Sequence, residues 1–381
     1  MPVDRMLPTP EAEALLELTR DLADAELRPR AAEYERRAEF PREVFATLGK
    51  AGLLGLPYPE EYGGAGLPYE VYLQVVEELA GAWLAVGLGV SVHTLSAFPV
   101  AGYGTPEQRA ELLPGLIGGE LLGAYSLSEA QSGSDAAALT TRAVRDGDEY
   151  VLTGAKAWVT HGGRADFYAI MARTSDDGAR GISCLLTPAG AAGLSAQPAE
   201  RKMGMASSPT AGLLLDAVRV PVGRLVGAEG DGFRIALAAL DGGRLGIAAC
   251  AVGVAQAALD YAVTYARERR QFNQPIIEFQ GLAFLLADLA TKVEAGRALY
   301  LAAARRRDAG RPYRTQAAMA KLFCTDMAMR VTTDAVQVLG GYGYVEDHPV
   351  ERWMREAKVL QIVEGTNQVQ RLVIGRALGQ G

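Results

Sequence analysis

The sequence is poor in the residues that most often carry chemistry. Only three cysteines (Cys184, Cys250, Cys324) and three histidines (His93, His161, His348) occur in 381 residues. No two cysteines are close in sequence, which removes zinc-ligand spacing and a redox pair. A disulfide scaffold is excluded by size and count, and no metal is expected. A Ser-His-Asp or Cys-His enzyme has few residues to draw on. Any hard chemistry is therefore expected on carboxylates or on an organic cofactor. Lysine is also scarce, with 6 Lys against 32 Arg, and asparagine occurs only at Asn273 and Asn367. Few Asn and Cys fit heat adaptation but the lysine shortage does not; a biased codon composition explains it equally well. No run approaches about 18 strongly apolar residues, so no membrane-spanning helix is expected. Met1 to Arg20 is acidic and amphipathic, without the basic start and apolar block of a signal peptide, which makes a cytoplasmic location the expectation. With 38 basic against 45 acidic residues and a net charge of -7, nucleic acid is a poor partner. Neither a G-x-G-x-x-G after a strand nor a Walker A sequence occurs, so a Rossmann dinucleotide site is not expected.

At roughly 150 residues per domain the length allows two to three domains, and the hydrophobic pattern changes period twice. Residues 1–118 read as helical: Leu15, Leu18, Leu22 and Ala25 recur at three- and four-residue steps. Pro41 opens a short helix through Leu48, Leu53 to Leu67 is a Gly/Pro-rich loop, and Tyr69 to Leu88 is helical again. Thr105-Pro106 is an N-cap with proline at the first helical position. Residues 119–228 switch to period two. Thr141 to Asp146, the Asp146-Gly147 turn and Tyr150 to Thr153 form a hairpin pattern. β-rich runs follow at Ala157 to Thr160, Phe167 to Ala172, Ile182 to Thr187 and Leu213 to Val220. Residues 229–381 are helical once more, with apolar stripes through Phe233 to Ala248, Leu282 to Tyr300 and Phe323 to Val338. The expected fold is α+β and multidomain: an N-terminal all-α region, a small central β-barrel or sandwich, and a C-terminal four-helix bundle.

Four segments could carry chemistry. Tyr125-Ser126-Leu127-Ser128 through Ser134-Asp135 could offer N–H groups and hydroxyls to a phosphate or ring oxygen, or could be a capped turn. In Lys156-Ala157-Trp158-Val159-Thr160 the indole could cover a flat ring, or pack in a core. Gln337-Val338-Leu339-Gly340-Gly341 allows close backbone approach to a ligand, or simply ends a helix. Glu364-Gly365-Thr366-Asn367-Gln368 lies between apolar stretches. A carboxylate desolvated there would have a raised pKa and suit a general base; an exposed glutamate at a helix junction is the alternative.

Together, in this order and spacing, these segments resemble the acyl-CoA dehydrogenase family of flavoproteins. The first is similar to that family's signature ending in Gly-Ser-Asp. Gln337 through Glu356 is similar to its second signature at every constrained position, including Gly340, Gly341, Gly343, Asp347, Arg352 and Glu356. Leu113-Pro114, Leu240-Asp241 with Arg244, and Glu268-Arg269 with Gln271-Phe272 look like further landmarks, so the resemblance spans nearly the whole chain. It looks closest to short-chain and branched short-chain members. Ser126, Ala130-Gln131, Ala206, Asn273 and Val363 depart from the usual pattern, and none removes a catalytic atom.

The resemblance implies FAD held between the β region, the bundle and a neighbouring subunit of a homotetramer. Tyr125, Leu127, Ser128 and Ser134 would line the flavin and pyrophosphate, with Trp158 and Thr160 at the reactive edge. A neighbouring subunit would offer Arg269, Gln271, Phe279, Gln280 and the run Gln337, Val338, Leu339, Gly340, Gly341 to the adenosine end. Thr366 and Gln368 would add contacts near Glu364. Asp241 and Arg244, with Ser134 and Gly365, would meet the acyl-CoA; a surface ion pair is the plainer reading of Asp241 and Arg244. Glu364 would take the α-proton while the flavin takes a β-hydride. The backbone N–H of the base and a FAD hydroxyl would hold the thioester oxygen. Electrons would pass to an electron-transferring flavoprotein. One family branch places its base on the bundle helix; here that place is Gly242-Gly243, which has no carboxylate. An acyl-CoA oxidase, a flavin monooxygenase on the same fold and a flavin-bound DNA-binding relative are the alternatives. Glu364 argues against the second and the net charge against the third.

Overall fold

The computed structural model describes residues 3 and 5–379. Six helices come first: α1 (Pro10–Leu22), α2 (Arg28–Arg37), α3 (Arg42–Lys50), α4 (Tyr69–Ala82), α5 (Leu84–Tyr103) and α6 (Pro106–Gly118). The α6 start is a full capping box, with Thr105 and Gln108 each bonding the other's backbone N–H. Tyr69 to Leu88 is not one helix. Trp83 breaks it in an extended conformation (φ -155°, ψ 103°), fully buried, with its indole N–H donating to Glu35 Oε1 at 3.3 Å. The indole's demand for a partner overrides the local helical pattern.

One eight-stranded sheet follows. Its strands are β1 (Gly123–Ser126), β2 (Arg142–Asp146), β3 (Glu149–Thr160), β4 (Phe167–Arg173), β5 (Ile182–Pro188), β6 (Leu194–Ala196), β7 (Thr210–Pro221) and β8 (Leu225–Val226). The order is β6-β7-β3-β2-β4-β5-β8, with β1 parallel to β4. β4 is apolar on both sides. Phe167, Ala169 and Met171 face one core, shared with α5, α6 and α7; Tyr168, Ile170 and Ala172 face another, inside the sheet. The runs expected around Tyr150 and Ala157 are a single strand, β3. Register shifts against β7 fall between Leu152 and Gly154 and between Lys156 and Val159. These bulges let one strand change direction without ending.

The C-terminal part comprises α7 (Gly232–Glu268), the short strands β9 (Arg270–Gln271) and β10 (Gln274–Pro275), then α8 (Gln280–Asp308), α9 (Arg314–Leu339), α10 (Val350–Leu360) and α11 (Asn367–Gly379). Three long helices carry the bundle, and α10 packs on α7 and α9 as its short fourth member. α4 and α5 also pack on α7, so one apolar core runs from Leu16 to Leu360. Contrary to the sequence expectation, α5 and α7 are long and apolar enough to cross a membrane by composition. Both are core helices. Their apolar surface is covered by neighbouring helices, which is what the composition serves. At the junction of the regions, buried Glu77 of α4 receives Arg5 at 2.9 Å, Arg297 Nη2 at 2.9 Å and the Tyr300 hydroxyl.

Candidate active site

Glu364 sits in the turn between α10 and α11 and has a left-handed backbone (φ 57°), as does Gly365 (φ 86°). A left-handed non-glycine residue is uncommon and persists where its surroundings fix it. They do so here. Gln370 Nε2 donates to the carbonyls of Glu364 (3.2 Å) and Gly365 (2.8 Å). Lys321 Nζ, from α9, donates to the Gly365 carbonyl at 3.0 Å and to Asn367 Oδ1 at 2.8 Å. Asn367 Nδ2 in turn reaches Asp326 Oδ1 at 2.6 Å, which also accepts from Gln361 Nε2 at 2.6 Å.

The residue as a whole is half-buried, but its carboxylate Oε2 is buried and has no hydrogen-bond partner among the described residues. Desolvation pushes its pKa up to about 7, against the opposing pull of Arg244 and Lys321. The exposed-junction alternative therefore does not describe it: the group is a desolvated carboxylate with a free lone pair. The carboxylate lies over Gly243 of α7, where an added Cβ would collide with Oε2. The glycine that vacates the alternative base position is thus the space that Glu364 fills.

Asp241 and Arg244 are bonded at 2.6 Å on one face of α7. They are not a surface pair. The Arg244 side chain is 3% exposed and the Asp241 side chain 17%, with Arg314 at 3.9 Å from the same carboxylate. Beside Gly243 lies a narrow recess of about 30 Å³, lined among others by Tyr58, Tyr69, Leu95, Phe98, Gly242 and Arg307. Tyr69 donates to the Gly242 carbonyl at 3.2 Å and carries the Arg307 guanidinium 3.6 Å above its ring. α4, α5 and the preceding loop therefore close the site from one side, and α7 from the other.

The first glycine- and serine-rich segment leaves β1 and is tied to β3. Glu129 forms a buried pair with Lys156 at 2.9 Å and accepts from the N–H groups of Thr140 and Thr141. Lys156 also donates to the Leu127 carbonyl at 3.1 Å, and the Ala157 N–H to that of Ser128 at 2.9 Å. This fastens Tyr125, Leu127 and Ser128 beside Trp158 and Thr160. Tyr125 donates to the Ala236 carbonyl at 3.4 Å, while Ser134 is exposed. Trp158 is not a core residue: it stands 63% exposed with φ 61° at the β3 bulge. An exposed indole on a strained backbone, next to the strand residues that fasten the Leu127-Ser128 segment, fits a flat ring system.

A separate cleft of about 650 Å³ is lined by Arg269, Gln271, Tyr342 and the run Gln337, Val338, Leu339, Gly340, Gly341. Cβ atoms at Gly340 or Gly341 would meet nothing within 4 Å, so the backbone there lies open to a ligand. Phe279 and Gln280 do not line this cleft. They begin α8, where the Phe279 ring meets Phe272 edge-on at 6.0 Å. No residue of the first segment lines it either. Thr366 caps α11, accepting from the Val369 N–H at 3.3 Å, and Gln368 is exposed. Of the residues that hold the Glu364 turn, Lys321 and Gln370 escaped the sequence reading, and Asn367 was read only as part of the fourth segment. Rarity was their available signal: Lys321 is one of six lysines and Asn367 one of two asparagines.

Three family models match in chain order: the acyl-CoA dehydrogenase N-terminal domain over residues 9–120, the middle domain over 124–218 and the C-terminal domain over 230–379. An acyl-CoA dehydrogenase of Bacillus subtilis is 44% identical over 97% of this chain and 98% of its own. Butyryl-CoA dehydrogenase from Megasphaera elsdenii superposes with a TM-score of 0.96 at 40% identity, covering 99% of this chain and all of that one. A chain in a structure named for the electron transferring flavoprotein of Acidaminococcus fermentans superposes at 0.97 with 43% identity, each chain wholly covered. With a desolvated carboxylate above a helix glycine, and all three family models matched in order, this chain belongs to the acyl-CoA dehydrogenases, FAD-dependent oxidoreductases.

Proposed function

We propose that the chain desaturates a short saturated acyl-CoA between its α- and β-carbons, with Glu364 as the α-proton base. The carrying observation is the Glu364 carboxylate, buried, unpaired at Oε2 and raised to about 7. A general base works best with a pKa near the working pH. FAD, when bound, would supply the hydride acceptor for the β-carbon. The protein's part is to bind, orient and exclude water. Arg244 and Asp241 would meet the CoA portion with Ser134, and the Glu364 N–H would hold the thioester oxygen, where negative charge develops as the α-proton leaves. Tyr125, Leu127, Ser128, Trp158, Thr160, Thr366 and Gln368 would hold the flavin end. Arg269, Gln271 and the run Gln337 to Gly341 lie in a different cleft, which supports a homo-oligomer whose second copy completes each FAD site. An electron-transferring flavoprotein is the proposed acceptor, in keeping with the Acidaminococcus likeness.

The recess beside Gly243 has room for only a water-sized group or two, which favours a short acyl tail over a long one. Anaerobic titration of the holoprotein with butyryl-, isobutyryl-, hexanoyl- and palmitoyl-CoA tests this by flavin bleaching. A four-carbon thioester is expected to bleach fastest, and each substrate that overfills the recess to lose about tenfold or more. Equal bleaching by palmitoyl-CoA would remove the short-chain assignment, and no bleaching by any thioester would remove the activity.

A further inference from the structure

Resting on the reading of Glu364 as base, we propose that Lys321 is a positioning residue for it: the buried ammonium pins the turn carrying Glu364 and sets the pH at which that carboxylate becomes a base. Lys321 is fully buried in the middle of α9, yet its hydrogen bonds go to neutral oxygens, the Gly365 carbonyl and Asn367 Oδ1. Burying a lysine is costly unless the charge is used. Arg244, the other cation that pulls on Glu364, already bonds Asp241. Lys321 therefore supplies positive potential beneath the turn without donating to the Glu364 carboxylate, whose Oε2 stays free. A direct bond to that oxygen would occupy the lone pair needed for the α-proton. Fixing the turn's carbonyl also holds Gly365, and so Glu364, in the left-handed conformation that aims the carboxylate at Gly243.

The surroundings leave few other groups to titrate. Asp241 faces the site from α7 against Arg244 and Arg314. Asp326 of α9 is held by Asn367, Gln361 and Arg371 of α11. Tyr69 of α4, Tyr125 of β1 and Cys250 of α7 are all pushed upward by burial and stay neutral at ordinary pH. Burial lowers Lys321 to about 7, with Glu364 opposing, so the two groups share one pH window.

The test uses flavin-loaded Lys321→Met, Lys321→Gln and Lys321→Arg, beside Asn367→Ala, which loosens the turn but keeps the cation. Bleaching by butyryl-CoA is followed from about pH 6 to 9. Without the cation, Glu364 should ionise later: the acid limb moves up by about one pH unit, giving about tenfold slower bleaching at neutral pH that recovers in alkali. Lys321→Arg should keep the limb in place. Asn367→Ala should slow bleaching evenly at every pH. Should Lys321→Met fail to fold, Lys321→Gln, which keeps a donor to the Gly365 carbonyl, carries the comparison. Infrared titration of the Glu364 carboxyl, identified by its loss in Glu364→Gln, reads the same shift without turnover. A wild-type limb in the charge-free variants, whatever their rate, overturns the proposal. Normal bleaching by Glu364→Gln instead overturns the base assignment, which separates the two failures.

Discussion

Glu364→Gln is expected to fold, bind FAD and bind acyl-CoA, yet to lose flavin bleaching by at least about 10²- to 10⁴-fold, the range a positioned base supplies. The amide is nearly isosteric, so the space above Gly243 stays filled and Gln370 and Lys321 still hold the turn through backbone oxygens. Only the proton acceptor disappears. In the wild type the acid limb of kcat/KM should lie near the raised value of about 7. The sign follows from the role: below that pH the carboxyl is protonated and cannot accept the α-proton, and above it the rate levels off. Rapid mixing of oxidised holoprotein with butyryl-CoA measures both effects. Wild-type bleaching by Glu364→Gln, or a rate independent of pH across that value, would sink the assignment.

The sequence carried the order of helices, strands and bundle because that order depends on hydrophobic period, which is local. It left the Glu364 turn open between a desolvated base and an exposed junction, and only the family resemblance singled out the base. Two kinds of feature stayed hidden. Trp83 and Trp158 each overrode the local pattern. Trp83 broke a helix to bring its N–H to Glu35, a residue 48 positions away; Trp158 turned outward at a bulge set by β7. Neither partner is visible from the neighbouring residues. The support of the base was hidden for the same reason. Lys321 sits among Ala317, Ala318, Ala320 and Cys324 on a stripe that reads as ordinary bundle core, and only the return of the chain at Gly365 gives its ammonium a use. Likewise Gly243 reads as a helix glycine until a carboxylate from 121 residues further on is found above it.

That glycine yields the second large effect. Gly243→Ala is expected to lower turnover by about 10²-fold, the cost of displacing a reacting group by an ångström. The added methyl would occupy the place of Glu364 Oε2, and α7 cannot yield, because it is packed by α4, α5, α8 and α9. The Glu364 carboxylate must swing off Gly243 instead, because Lys321 and Gln370 fasten the turn that carries it. Alanine favours a helix interior over glycine by about 1 kcal/mol, so the helix itself gains and the melting temperature should not fall by much. Loss of turnover with flavin content and melting temperature retained therefore separates a displaced base from a damaged fold. Gly242→Ala is the control. Its Cβ would approach only the Tyr69 hydroxyl, at 3.2 Å, and that side-chain tip can shift slightly. It should cost less than about tenfold, mainly by narrowing the recess for the acyl group. Should the two variants behave alike, the carboxylate is not held over Gly243 during turnover, and the proposed geometry of proton removal fails.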